Sequence, residues 1–162
     1  MIEVNDLIAM GLTLGSNMEF VDNQRACDWV LMCRHPLVNV YMNVNSIFGN
    51  HNTIAYKYYF VKDETCVDYQ RANNLRKAPR FTIEVKQYNS DFSSYTRKAM
   101  AFFDFNHKLI EVGEENQKEI IRPNSIDAEE AKWAKPLCAE GETFIPYMKD
   151  TMEKFFNSHS FK

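Results

Sequence analysis

The sequence predicts an α+β domain in which helices flank an antiparallel β-meander of five or six strands. From about residue 37 to residue 122, apolar and polar residues alternate with a period of two in several segments, and turn-forming residues separate these segments. Before and after this region, apolar residues recur at helical spacing. The order of helices, then strands, then helices favours an antiparallel sheet covered on one face.

The 162 residues are predicted to form a single domain, 1–162. Ile, Leu, Val and Phe together number 40, which is too many for a disordered chain. No apolar run approaches the roughly 18 residues that a membrane helix needs. The first ten residues contain acids and no Lys or Arg, unlike a secretory signal. We therefore expect a soluble, cytoplasmic protein that does not bind membranes.

Two N-terminal segments precede the first clear strand. Residues 2–15 are predicted to be a short helix, because their apolar residues can share a face and Gly15 is a typical C-terminal stop. Asp22 can cap a second segment, 25–34, whose apolar residues fit both the helical and the strand period. Helix and strand therefore remain alternatives there, and Pro36 ends the segment.

The next residues predict a β-hairpin. Residues 38–44 alternate between Val or Met and polar residues, and 49–52 are typical of a turn. Residues 53–62 then form the second strand. Residues 63–80 show no strand period and contain Asn73-Asn74 and Pro79, so we predict a long loop with room for one helical turn.

The rest of the meander and the closing helices follow. Four more strands, separated by turn-forming residues, are predicted at 81–88, 94–105, 109–112 and 118–122. Ser125 can cap a helix over 126–135, which Pro136 ends. A second helix is predicted over 143–157, with Met148 and Met152 on the side that covers the sheet.

Motifs for catalysis or cofactor binding are not found in the sequence. The four cysteines lie at irregular spacings without a CxxC pair and are predicted to be reduced thiols. The four histidines match no metal-binding pattern, and no phosphate-binding loop or nucleophile elbow occurs. Glu114-Glu115 and Glu129-Glu130 are interpreted as solvated charge rather than as general acids. We expect no catalytic residues, no metal and no cofactor.

The charge distribution is the most informative feature for function. The net charge of the chain is −3, but residues 69–108 carry eight bases and three acids. Residues 1–68 and 109–162 are each acidic, with net charges of −4. A basic middle segment therefore lies between two acidic flanks, and the total charge conceals it.

Basic and tyrosine side chains of this middle region form the candidate binding site. Its basic members can neutralise an anionic partner, and its tyrosines supply contact area or stacking surfaces. The members are Arg71, Arg76, Lys77, Arg80, Arg97, Lys98, Tyr56, Tyr58 and Tyr95. The alternative interpretation is a solvated loop whose bases pair with the protein's own acids, including Glu129 and Glu130, and strand tyrosines that are half-buried.

The first functional hypothesis is a small, non-enzymatic regulatory protein, of phage-like origin, that docks a protein partner through this basic, tyrosine-bearing surface. The alternative is direct binding of RNA or single-stranded DNA by the same 71–98 region. The third is a small-ligand cup or an enzyme, in which the meander and the C-terminal helix enclose a pocket. An exposed edge strand also makes a homodimer feasible.

Overall fold

A computed structural model describes residues 9–14, 20–22, 28–45 and 52–158. Their strands are β1 (Leu12–Leu14), β2 (Phe20–Asp22), β3 (Trp29–Arg34), β4 (Val38–Asn43), β5 (Thr53–Phe60), β6 (Phe81–Tyr88), β7 (Ser94–Phe103) and β8 (Leu109–Ile120). Their helices are α1 (Asp63–Ala72), α2 (Ile126–Glu140) and α3 (Ile145–Ser158), with a 3₁₀ turn at Gly141–Thr143. The predicted α+β class is confirmed.

Strands β3 to β8 form a six-stranded antiparallel sheet in which each strand pairs with the next one along the chain. The predicted meander is therefore confirmed, with β3 and β8 at its edges. The ambiguous segment before Pro36 is a strand, since a tight turn between His35 and Val38 joins β3 to β4. Both backbone bonds of that turn run between these two residues, at 2.9 and 3.2 Å.

The N-terminal helix prediction is wrong for its last residues. Leu12–Leu14 are a strand that pairs with Phe20–Asp22 in a separate two-stranded sheet. Gly11 precedes this strand with φ at 80°, a conformation that a continuing helix does not allow. Residues 2–8 of the predicted helix lie outside the described residues.

Residues 63–72 are a ten-residue helix rather than the predicted loop. Asp63 and Glu64 in the first turn and Arg71 in the last turn suit the helix dipole. Only Cys66 of this helix is buried, so the helix has little apolar periodicity to detect. The Tyr69 ring packs on Phe60 of β5, with ring centroids 4.6 Å apart, and this contact attaches α1 to the sheet.

The two short strands predicted at 109–112 and 118–122 are one continuous strand, β8. Gly113, which was expected to open a turn, instead pairs with Met100 within the β7–β8 ladder. Register shifts between Arg97 and Ala99 and between Phe102 and Phe103 each accommodate one additional residue of β8.

Helix α2 also extends further than the sequence predicted. Ser125 caps it as expected, since its Oγ accepts a hydrogen bond from the Ala128 N–H at 3.1 Å. Pro136 lies inside the helix instead of ending it, and the helix reaches Gly141, which has φ at 58°. Because Ala134 and Leu137 are fully buried on either side of Pro136, packing on the sheet holds this turn in helical conformation.

The two faces of the sheet carry separate cores. Helices α2 and α3 cover one face, which we call the helix face, where Met42 and Ile54 pack against Leu137 and Met148. On the opposite face, Ile83 packs in a second cluster with Ala101 and with Met10 and Leu12 from the N-terminal region. Both faces of β6 are therefore buried, although its sequence alternates between apolar and charged residues.

Candidate functional site

A cleft of about 310 Å³ opens on the helix face between α1 and the first turn of α2. Its floor is formed by β5, β6 and β7. Its walls combine apolar and aromatic side chains with four charged ones. The apolar and aromatic set includes Leu37, Val38, Tyr58, Phe60, Tyr69, Tyr95 and Ile126. The charged set is Glu84, Lys86, Arg97 and Asp127. A concave, aromatic site with few convergent polar groups is typical of ligand-binding pockets.

Lys86 is the central charge of the cleft floor, and its side chain is only 2% exposed. Its Nζ donates a hydrogen bond to Glu130 Oε1 at 2.7 Å and another to Asp127 Oδ1 at 3.0 Å. Lys86 comes from the middle of β6 and both acids come from α2. Strand and helix are thus joined by a charged contact inside an otherwise apolar layer.

Tyrosine side chains complete the environment of this contact. The Tyr58 hydroxyl donates to Glu130 Oε2 at 2.5 Å, and the Tyr95 hydroxyl donates to Asp127 Oδ2 at 3.3 Å. The Lys86 Nζ lies 4.4 Å from the centroid of the Tyr95 ring, within cation–π range. Each of the two carboxylates therefore accepts one hydrogen bond from the Lys86 ammonium and one from a tyrosine hydroxyl.

A second ion pair joins Arg97 of β7 to Glu84 of β6 through Arg97 Nε and Glu84 Oε1. A β-bulge positions it, because Val85 pairs with Ala99 while Lys86 pairs with Arg97, leaving Lys98 as the extra residue. Without that residue, strict alternation would turn Arg97 to the opposite face. The bulge therefore places the Arg97 guanidinium in the cleft.

The electrostatics of the buried contact follow from burial and mutual attraction. Burial raises the pKa of Glu130 to about 7, against the lowering effect of Lys86 and Tyr58. Burial alone would lower the pKa of Lys86, but Glu130, Glu84 and Asp127 raise it well above its ordinary value. Burial and the Glu130 charge also raise the pKa of Tyr58. Lys86 is therefore a permanent cation at neutral pH, and Tyr58 a permanent donor.

Access to these groups is graded from the mouth of the cleft to its floor. The side chain of Asp127 is 34% exposed and that of Arg97 is 20% exposed, whereas Glu130 is fully buried. At the rim, His35 Nδ1 accepts a hydrogen bond from the Leu37 N–H at 3.3 Å. Asp127 and Arg97 are thus the charged groups of the cleft that a small molecule can best reach.

The structure brings three of the predicted site residues together in this cleft, namely Tyr58, Tyr95 and Arg97. Tyr56 lies below them in the core with no exposed surface, and its hydroxyl is 2.6 Å from that of Tyr88. The tyrosine rings therefore face the helices rather than an open sheet surface. Lys98 is half-buried at the bulge.

The remaining predicted residues lie in and after α1. Arg71 is exposed on the last turn of that helix. Lys77 Nζ lies 3.5 Å from Asp104, and Arg80 Nη1 lies 3.7 Å from Asp63. The Arg76 Nη2 donates a hydrogen bond to the Leu109 carbonyl at 3.5 Å. Arg76, Lys77 and Arg80 thus approach the β7–β8 turn, away from the cleft tyrosines.

An aromatic ring that the sequence analysis did not select lies at that turn. Phe105 is 50% exposed, and the Arg80 guanidinium carbon is 5.4 Å from its ring centroid. We call the group formed by Arg76, Lys77, Arg80, Phe105 and Lys108 the basic end. It combines positive charge with one accessible aromatic ring at one end of the sheet.

The sequence analysis also missed the charged core of the cleft. Glu130 was interpreted as solvated, and this is wrong because Lys86 holds it in the core. Lys86 and Glu84 belong to the polar set of the alternating strand that the sequence predicts at 81–88. The available signal was their alternation on β6, but only the packing of α2 shows that this side is covered.

Other chemistry-bearing residues were located as follows. Cys33, Cys66 and Cys138 are free thiols. Cys27 and His51 lie outside the described residues. In the ranges that the structure describes, His, Cys, Asp and Glu side chains form no group of three or more suited to a metal ion. Nor does any helix in those ranges have the length and apolar character needed to cross a bilayer.

No protein-family model, curated protein or solved structure matches this chain. We therefore infer the function from the geometry of the cleft and of the basic end.

Proposed function

We propose that the protein binds a small polar organic molecule in the cleft between α1 and α2. The observation that carries this proposal is the presence of two ion-paired groups, Asp127 and Arg97, partly exposed inside a cavity with aromatic walls. Convergent charges in a concave, largely apolar site provide orientation, and the surrounding rings provide contact area. This function is of the same class as the small-ligand cup among the sequence-based hypotheses, but the helices that line the cleft, among the described residues, are α1 and α2 and not the C-terminal helix.

The energetics of buried charge support a functional role for the network. Replacing a buried ion pair by apolar residues of similar volume is often neutral or stabilising. The contact of Lys86 with Glu130 and Asp127 is therefore a poor device for stability alone. Titratable groups that line a cleft and have strongly shifted pKa values are more typical of functional sites.

The protonation states favour binding over covalent chemistry. The raised pKa of Lys86 keeps its ammonium charged, so it lacks the free amine that a nucleophilic lysine requires. Glu130 is enclosed behind Lys86 and Tyr58, out of reach of a molecule in the cleft. The charged groups are suited to holding a ligand in place.

Thermal denaturation with a library of amino acids, amines, carboxylic acids and nucleosides tests this proposal. Thr65→Trp on α1 would fill the cleft, whereas Asp68→Trp adds the same ring to an exposed part of the same helix. A true ligand raises the melting temperature of the wild type and of Asp68→Trp, and leaves Thr65→Trp unchanged. Absence of any stabilising compound, or equal stabilisation of Thr65→Trp, would reject the cleft as a binding site.

A second candidate function is supported by the basic end. We propose that Phe105 and the adjacent basic side chains dock an acidic protein partner, with Arg71 extending the positive surface. The supporting observation is the half-exposed Phe105 ring beside Arg80, since aromatic and Arg residues are enriched among interface hot spots. Binding of RNA or single-stranded DNA is the alternative use of the same group.

Fluorescence anisotropy with labelled single-stranded RNA and DNA at two salt concentrations separates these alternatives. Binding that weakens steeply with salt, and less steeply in Arg76→Ala/Lys77→Ala, would identify a nucleic-acid surface. If neither oligonucleotide binds, cross-linking from a photoreactive residue introduced in place of the exposed Asn106, next to Phe105, tests the protein partner. A partner captured equally well by Phe105→Ala with Arg76→Ala/Lys77→Ala would show that the basic end plays no part.

A further inference from the structure

The two accessible charges of the cleft have opposite signs. Asp127 lies at the start of α2 and Arg97 lies on β7, and both line the same cavity. From this juxtaposition we infer that the ligand is a zwitterion of the α-amino-acid type, with its ammonium at Asp127 and its carboxylate at Arg97. The inference rests on the proposed ligand-binding function.

Tyr95 connects the two charged groups. Its hydroxyl donates to Asp127, and it lies two residues before Arg97 on the same side of β7. Residues spaced by two along a strand are about 7 Å apart. Asp127 and Arg97 therefore flank one aromatic side chain, and a single small molecule lying beside that ring can contact both.

The balance of charge in the cleft favours a ligand without net charge. Two carboxylates line the cleft, those of Glu84 and Asp127, and they face two cations, Lys86 and Arg97. A simple anion at Arg97 would also meet the adjacent carboxylates of Glu84 and Asp127. A simple cation at Asp127 would meet Lys86 and Arg97. A zwitterion avoids both repulsions, because each of its charges faces the group of opposite sign.

The apolar part of the cleft provides for a side chain. Phe60 and Tyr69 pack against each other on one wall, and Leu37 lies at the mouth with 45% of its surface exposed. An apolar or aromatic ligand side chain placed there would bury the exposed surface of Tyr69 and Leu37. The combination describes an apolar amino acid better than a sugar or a phosphate ester.

Isothermal titration calorimetry with three matched probes tests the inference. L-phenylalanine has both charges, phenethylamine lacks the carboxylate, and 3-phenylpropionate lacks the ammonium. We expect phenylalanine, or another of the common amino acids with its own two analogues, to bind at least about tenfold more tightly than either analogue, because each analogue loses one charge-assisted contact. Equal affinity for one analogue would overturn the zwitterion assignment.

Two variants assign the two ends of the ligand. Arg97→Gln/Glu84→Gln removes the ion pair without leaving Glu84 as a lone buried charge, and should abolish the preference for phenylalanine over phenethylamine. Asp127→Asn should abolish its preference over 3-phenylpropionate. Lys98→Gln is the matched control on β7 and should change neither preference. If Arg97→Gln/Glu84→Gln also loses binding of phenethylamine, or Asp127→Asn also loses binding of 3-phenylpropionate, the altered residue has a structural role. The assignment of that end of the ligand is then wrong.

The failure of this inference is distinguishable from that of the proposed function. If no amino acid binds while another compound stabilises the wild type and not Thr65→Trp, the cleft binds ligands and the zwitterion inference is wrong. If no compound gives that pattern, the proposed function fails, and the inference fails with it.

Discussion

Lys86 and Arg97 lie directly opposite each other on the neighbouring antiparallel strands β6 and β7. Like charges in this position repel and normally destabilise a sheet. Here each cation has its own acidic partner, since Lys86 contacts Glu130 and Asp127 while Arg97 contacts Glu84. The pairing of two cations is therefore possible because α2 brings two carboxylates to Lys86, while β6 itself supplies Glu84 to Arg97.

This dependence makes the stability of the sheet sensitive to single changes in the network. A buried charge that loses its partner costs much more than the intact pair contributes. The consequences can be measured at Lys86, at Glu130 and, by contrast, at positions outside the cleft.

Lys86→Met is expected to lower the free energy of unfolding by about 3–5 kcal/mol, because it leaves Glu130 buried beside an apolar side chain. Urea denaturation measures the change. Lys118→Met, at an exposed position of β8, should alter stability by less than about 0.5 kcal/mol.

The double variant Lys86→Met/Glu130→Gln checks the cause of that loss. If the isolated carboxylate is responsible, neutralising it should recover about 2 kcal/mol of the loss. No recovery would indicate that the packing of the Lys86 stem, and not its charge, stabilises the sheet.

Stability is expected to decrease as the pH rises through the titration of Glu130. Its pKa is raised from 4.5 to about 7 in the folded state, so the folded protein holds this proton more tightly than the unfolded chain does. The resulting stabilisation is fully present below about pH 4.5 and is lost as the pH rises to about 7. The contribution to the slope is at most about 1.4 kcal/mol per pH unit.

Denaturation curves of Glu130→Gln over the same pH range isolate this effect. The variant should lack the Glu130 contribution to the slope, and Glu140→Gln, which is exposed on the same helix, should retain it. The raised pKa of Lys86 leaves its charge constant throughout this range. A wild-type slope preserved in Glu130→Gln would assign the pH dependence to other groups.

Phe105→Ala is expected to leave stability nearly unchanged, within about 0.5 kcal/mol, because half of its ring is already exposed. If the basic end docks a macromolecule, the same change should weaken binding by about tenfold or more. Thermal denaturation and a binding titration of the same samples separate the two effects. A large loss of stability would place Phe105 among structural residues instead.

Pro136→Ala should stabilise the protein by about 1–3 kcal/mol. Proline inside a helix lacks the N–H that would bond to the carbonyl four residues earlier, and alanine restores that bond. Chemical denaturation measures the gain in the free energy of unfolding. Ser125→Ala, which removes the N-cap of the same helix, should instead lower that free energy by about 1 kcal/mol. Unchanged stability in Pro136→Ala would mean that the restored bond is offset by the greater conformational freedom of the unfolded alanine chain.

Local patterns predicted most of the strands. The period-two alternation of 38–44, 53–62 and 81–88 identified β4, β5 and β6 as strands, because successive side chains of a strand point to opposite faces. Helix α1 escaped prediction because only Cys66 of its residues is buried. At Gly113 the sequence wrongly predicted a turn. A glycine permits a turn but does not enforce one when pairing with β7 is available.

Spacing and composition along the chain were enough to predict the α+β class, the antiparallel meander and the basic middle region. Which charges are buried depends instead on how elements distant in the chain pack together. Lys86 and Glu130 are 44 residues apart, and whether each meets water or the other depends on where α2 docks. The cleft exists for the same reason, because a helix, a bulge at Lys98 and three strands must meet before Asp127 and Arg97 share one cavity.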